Sequence, residues 1–369
     1  MCKKRYINKL LLVLLLPAAV IFSYSVSKYP GLVEKLYSTG TYRFIGRPLS
    51  QITGIFPFSL AEVIIILLTI YILYRIFYLI YRLIKVPHGK GKILKTFIIN
   101  TSASISITYF SFIVLWGLNY HRKPFSQIIN MPVSPPNVNE LEGLCLDLIE
   151  RANKLRSLVN ENTEGVMKLS YNSVQAFNEA YKGYDEASII YPVIGGKYGR
   201  PKGVFLSRLM SYTGISGVYF PFTGEANVNT NIPNSILPAA ICHEMAHQRG
   251  FAREDEANYI AYLTSTMNPD VQFQYSGTLF ALVYSMNALA QQDLKAFSRL
   301  KSMYSDGVRR DLLYINKFWG RYEGPIDRVT SKINNTYLKS NLQGEGIYSY
   351  NRMVNLLVAE YRLKVSDKK

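Results

Sequence analysis

Cysteine is nearly missing from this chain: only Cys2, Cys145 and Cys242 occur in 369 residues. Three scattered thiols supply no disulfide framework, and Cys2 precedes the first hydrophobic stretch, so it does not read as a lipoprotein attachment site. Cys242 reads as a small buried residue. Histidine is almost as scarce, with four copies. No glycine-rich phosphate loop, nucleic-acid motif or internal repeat is present, which leaves nucleotide and nucleic-acid binding without a sequence basis.

Acidic residues are also few, and above all they are missing from one end. Residues 1–126 hold 16 Lys and Arg against only Glu34 and Glu62, a balance of +14, so just +3 of the net +17 remains for residues 127–369. Charge so confined, around long apolar runs, points to a lipid bilayer as partner and not to nucleic acid. The runs are Leu10 to Val26, Phe58 to Leu83 and Phe97 to Leu118, each long enough to span a bilayer. No small-x-small cleavage site follows the first run, which reads as a signal or an uncleaved anchor. The third, weakened by Asn100, Thr101, Ser102 and Ser104, could instead be a buried helix of a soluble domain; Tyr109, Phe110, Trp116 and Tyr120 near its end look like an interfacial belt. Basic residues at the N-terminus and from Arg82 to Lys95 place those parts in the cytoplasm and the domain after the third run outside the bacterial cytoplasmic membrane, although Lys28, Lys35, Arg43, Arg47, Arg122 and Lys123 dilute the asymmetry. Glu62, near one end of the second run, reads as a solvated interfacial carboxylate or else a functional one. His121, just beyond the third run, reads as interfacial.

Two of the four histidines stand in His243-Glu244-Met245-Ala246-His247. On a helix, residues four apart lie one turn above each other, so both imidazoles can reach one metal ion; Glu244, about 100° round the helix, is placed to hold a water. Asn234 or Ser235 is the expected N-cap, with helix from Ile236 to Gln248 and Pro238 in the first turn. Gly250 can adopt the positive φ that turns the chain back. The return limb then offers two carboxylates, Glu254 and Glu256, as a third ligand.

Here the sequence resembles the zincin metallopeptidases of the glutamate-ligand kind. The membrane-embedded prenyl-protein and heat-shock proteases of that group carry a second motif, E-x-E/Q-A-D-x-x-A/G, and Glu254-Asp255-Glu256-Ala257-Asn258-Tyr259-Ile260-Ala261 matches it with Asn258 in place of the Asp. The resemblance implies Zn2+ held by His243, His247 and Glu254, Glu244 as the base that activates water, and Asn258 as the support of a ligand histidine. Only six residues separate His247 from Glu254, and Glu256 stays an alternative ligand. Gly250 also falls in register with HExxHxxGxxH, but Arg253 stands at the third histidine and cannot ligate a metal. Along nearly its whole length the chain is similar to a family of bacterial multi-pass membrane proteins of unknown function, through its three apolar runs, Trp116 to Tyr120, the HExxHxxGF-x-x-E-x-E-A-N block and Ser349 to Val354.

The expected architecture is membrane-anchored and mainly α. Three transmembrane helices (about 10–26, 58–83 and 97–118) fill residues 1–120, residues 121–136 form a linker, and residues 137–369 form a zincin-like α+β domain with a small sheet. Amphipathic helices are expected at Val138 to Asn160 and Ser173 to Tyr181, then from Ala257 to Met267, Thr278 to Gln291, Asp293 to Ser305, Val308 to Arg321 and Tyr348 to Tyr361. Gly203 to Ser207 and Gly217 to Phe222 read as strands, and Glu225 to Asn231 as an edge strand able to pair with a peptide. Tyr350, Arg352 and Tyr219 are the residues proposed to stabilise an oxyanion. The function expected is a zinc-dependent hydrolase, a metallopeptidase acting on peptide or protein substrate at the extracytoplasmic face; the alternative is a non-catalytic envelope or sensory protein with a structural metal site. Glu244 separates the two, because a closed structural zinc site has no use for it.

Overall fold

A computed structural model describes residues 9–340 and 352–366. Three helices among them, Lys9–Ser27, Leu60–Lys85 and Lys90–Leu115, are long and apolar enough to cross a membrane. Their large apolar side chains point outward, Leu67 and Leu73 for example being about 60% exposed. An apolar surface that large on a water-soluble protein would aggregate, so it marks membrane association. The second helix is set at its start by Ser59, whose hydroxyl accepts the Glu62 N–H at 3.0 Å, and at its end by Arg82 and Lys85, which suit the negative end of the helix dipole. The third begins at Lys90, seven residues before the apolar run, because Gly89 (φ 80°) supplies the turn and the lysine-bearing first turns continue the helix. It stops where Trp116 leaves helical geometry.

The rest is mainly helical. Asn137 and Glu140 form a reciprocal capping box at the start of helix Val138–Arg156, whose Leu141, Leu144 and Leu148 are buried as the apolar spacing predicts. Helices Ser173–Ile190, Leu237–Gln248, Glu254–Thr266 and Val271–Gln292 share its core with Met353–Ser366. The last two expected helices before the C-terminus are found at Leu294–Lys301 and Asp306–Gly320, and a helix at Pro325–Ser340 was not anticipated.

The sheet corrects the expected strands. It has three, β1 (Lys202–Gly203), β2 (Gly217–Phe220) and β3 (Glu225–Val228), in the order β1-β3-β2, with β1 parallel and β2 antiparallel to β3. The segment read as a free edge is therefore the central strand. All four of its residues are buried, a continuous pattern that belongs to a covered strand and not to an alternating edge. After Gly203 the chain leaves the sheet at once and forms helix Ser207–Ser211.

Membrane helices and sheet are joined by buried charge. Glu225 on β3 accepts the N–H groups of Leu60 (3.1 Å) and Ala61 (2.7 Å), so a sheet carboxylate caps the second apolar helix. Lys202 on β1 pairs with Glu225 and donates to the carbonyls of Thr53 (2.7 Å) and Phe58 (2.9 Å). Glu62 is half-buried and engaged by the backbone: its oxygens take the N–H groups of Phe205 and Leu206 at 2.8 and 2.7 Å. Residues 30–54, assigned no structure beforehand, form helical turns laid on the globular part, where Arg43 and Arg47 donate to the carbonyls of Val193 and Gly195.

Candidate metal centre

The HExxH residues lie on helix Leu237–Gln248, in which every residue except His243 is buried. Its N-cap is Ile236, without a side-chain bond. Asn234 instead accepts the Leu169 N–H at 3.0 Å, and the Ser235 hydroxyl is buried. Packing replaces the missing cap: the Ser276 hydroxyl accepts the Ala239 N–H at 3.1 Å. Gly250 (φ 82°) then reverses the chain, and Glu254 opens helix Glu254–Thr266 pointing back at the histidines.

Three ligand-type side chains meet there. His243 Nε2 and His247 Nε2 are 3.0 Å apart, Glu254 Oε2 is 3.3 Å from the first, and Glu254 Oε1 is 3.6 Å from the second. Ligands about 2.0–2.2 Å from a tetrahedral zinc ion lie roughly 3.3–3.6 Å from one another, so the three edges already have the scale of a zinc site. No other group of three such ligands clusters among the described residues. Glu256, two residues on, faces elsewhere: it accepts the buried Phe125 N–H at 2.7 Å and pairs with Arg253. His247 Nδ1 is held by the Phe251 carbonyl at 2.8 Å, which leaves Nε2 for the shared point. That support comes from the turn and not from Asn258. Asn258 lies beside Tyr284, and its buried Nδ2 has no hydrogen-bond partner among the described residues.

Burial lowers the pKa of His247, but Glu254 outweighs it and raises the value to about 9. Burial likewise opposes the ionised Glu254, yet the two imidazoles hold it well below the usual carboxylate range. Seating a dication here requires His247 to release its proton. Glu244 is raised to about 7, chiefly by burial, with Glu254 adding to the shift and the imidazoles opposing it. A carboxyl balanced near neutrality can both accept and return a proton. One of its oxygens, Oε2, is buried without a partner among the described residues. The other leaves no room at Gly217 on β2, where an added Cβ would fall 2.4 Å from Oε1. Gly217→Ala is therefore expected to displace Glu244 while His243, His247 and Glu254 keep their places. Metal stoichiometry by elemental analysis should then be the same in the variant and the wild type, while any activity that relies on Glu244 as a general base should fall at least about 100-fold.

The four residues open into a cavity of about 620 Å³. Its walls include Phe112, Trp116, Phe280, Tyr284 and Trp319, and among the described residues none of its lining side chains is charged apart from the four site residues. Tyr219 lines it too, but its hydroxyl is bonded to that of Tyr42 at 3.1 Å. Arg352 does not line the cavity and acts on Asp255, and Tyr350 lies outside the described residues. The charge of Glu254 bears on the hydroxyls of Tyr284 and Tyr337, which the sequence did not single out among 29 tyrosines. Periodicity could not have found them, since each arrives from a separate helix.

The residues read as an interfacial belt serve this site as well. The Trp116 ring lies 6.0 Å from that of His247, and its indole N–H donates to the His247 carbonyl at 3.1 Å. The Tyr42 hydroxyl donates to the Gln248 carbonyl at 2.7 Å, and Arg122, paired with Glu34, donates to the Gly250 carbonyl at 2.9 Å. Carbonyls at a helix end need such partners when buried. His121 is buried with them, 2.7 Å from the Ser23 hydroxyl on the first apolar helix.

Among known proteins, no curated protein and no solved structure matches this chain. A family described as "Protein of unknown function (DUF3810)" matches residues 37–358. That range begins in the turns carrying Tyr42, takes in the second and third apolar helices, the sheet and the His243–Glu254 cluster, and ends in the C-terminal helix, so the chain belongs to the DUF3810 family.

Proposed function

We propose that this protein is a membrane-anchored, zinc-dependent metallopeptidase of zincin type, acting on peptide or protein substrate at the extracytoplasmic face. The observation that carries the reading is the convergence of His243, His247 and Glu254 beside a buried carboxylate, Glu244, with one oxygen unpartnered. Zinc bound there would polarise a water molecule and the substrate carbonyl. Glu244 takes the proton of that water and returns it to the leaving amine. The Asn258 amide and the Tyr284 hydroxyl line the same cavity and supply hydrogen-bond donors for the oxygen that gains charge. β2 is an edge strand whose Gly217, Val218 and Tyr219 border the cavity, so an extended peptide can add to it through backbone hydrogen bonds. A structural zinc site would close its fourth position with a ligand; among the described residues no fourth ligand-type side chain clusters with His243, His247 and Glu254, and the three line a cavity. The basic loop between the second and third apolar helices supports an outside location for the site.

The test uses the full chain in lipid nanodiscs, incubated with a peptide mixture and read by mass spectrometry. New cleavages should appear with zinc, vanish with a chelator and return when zinc is restored. Identical peptide patterns with zinc-loaded and chelated protein would reject a peptidase.

A further inference from the structure

A second cleft lies at the opposite end of the membrane helices from the metal centre, and it differs from the first in charge. It occupies about 840 Å³ between helices Leu60–Lys85 and Lys90–Leu115, and its lining includes Arg75, Arg82, His88 and Lys92 with Tyr71 and Tyr78. Arg75 donates to the neutral hydroxyl of Tyr71 at 2.7 Å and lies over the Phe97 ring. Arg82 donates to that of Tyr78 at 3.2 Å. Lys9 of the first helix reaches the Asn100 side chain in the same cleft at 2.6 Å.

Among the described residues no carboxylate pairs with these cations. From Val63 to Asn139 the chain contains no Asp or Glu, and Glu62 is bonded at the other end of its helix. Both helices run 26 residues, about 39 Å at ~1.5 Å per residue, against a hydrocarbon core of ~30 Å. The last turn carrying Arg82 and the first carrying Lys92 therefore reach the headgroup level. Arg75 lies two turns deeper than Arg82, between Tyr71 and Phe97. A loop that only obeyed the positive-inside rule would need neither a half-buried arginine two turns inside the helix nor a cleft.

We propose that this cleft binds the headgroup of an anionic phospholipid, its phosphate held by Arg82 and Lys92 at the rim and by Arg75 below. Guanidinium forks suit a phosphate, and clustered cations between membrane helices select anionic over zwitterionic lipid. Each tyrosine hydroxyl takes one guanidinium N–H and leaves the others for the ligand. The proposal does not depend on the metal reading.

The experiment is native mass spectrometry of the full chain, delipidated in detergent and titrated with phosphatidylglycerol or phosphatidylcholine. Wild type should retain phosphatidylglycerol at least about tenfold better. The variant Arg75→Gln/Arg82→Gln/Lys92→Gln should lose that preference, Arg75→Lys/Arg82→Lys should largely keep it, and Lys28→Gln/Lys35→Gln, outside the cleft, should be unaffected. Equal retention of the two lipids by wild type overturns the proposal without recourse to any variant. So does undiminished phosphatidylglycerol binding by the triple variant. Displacement of the lipid by millimolar inorganic phosphate would make this a site for soluble anions and overturn it too. Zinc content should be the same in all variants.

Discussion

Replacing Glu254 by alanine is expected to abolish stoichiometric zinc binding, while Glu256→Ala leaves it intact. Glu254 supplies two oxygens at 3.3 and 3.6 Å from the imidazole nitrogens, whereas Glu256 is committed to Phe125 and Arg253. Mutating residues that merely support a ligand lowers metal affinity about 10–100-fold, so removing a ligand should cost at least about 100-fold. Glu256→Ala has its own signature: it strips a buried N–H of its acceptor, a loss of about 1–3 kcal/mol in stability that shows as a lower melting temperature at unchanged zinc content. Elemental analysis and thermal denaturation of the two full-length variants, run together, separate the outcomes. Zinc retained by Glu254→Ala would remove it from the ligand set.

Glu244→Gln should leave zinc content and fold unchanged and lower kcat about 10²–10⁴-fold, the range for losing a positioned general base. The substitution preserves shape in a site with no room to spare, since Gly217 lies against this side chain. It also suits a buried position, because a neutral amide avoids the burial that raises the carboxyl to about 7. The amide cannot take a proton from water. A variant with full zinc and undiminished cleavage would sink the proposed mechanism. One that lost zinc would show that Glu244 shapes the metal site instead of serving it.

How far the sequence reached depended on how local each feature was. The helix under His243 and His247, the turn at Gly250 and the three apolar helices are set by spacing along a few turns, and each could be read from residues close in the chain. The strand order could not, because whether β3 is an edge or a centre depends on partners at Lys202 and Gly217, and nothing in Glu225–Val228 names them. The partners of Glu62, Arg43 and Arg47 are illegible for the same reason: the backbone groups they bind lie more than 140 residues away. The choice between Glu254 and Glu256 turned on helix phase, with two residues placing one carboxylate toward the histidines and the other toward Phe125.

The three donors at the end of the site helix, Trp116, Tyr42 and Arg122, bear on how such a protein can change over evolutionary time. Two of them, Trp116 and Tyr42, belong to the part of the chain that includes the membrane anchor. A truncation that freed the globular part into solution would leave the carbonyls of His247 and Gln248 without those partners, at the helix turn that carries His247 itself. A soluble descendant could not arise by shedding the anchor alone; it would first have to evolve a new brace for that helix end.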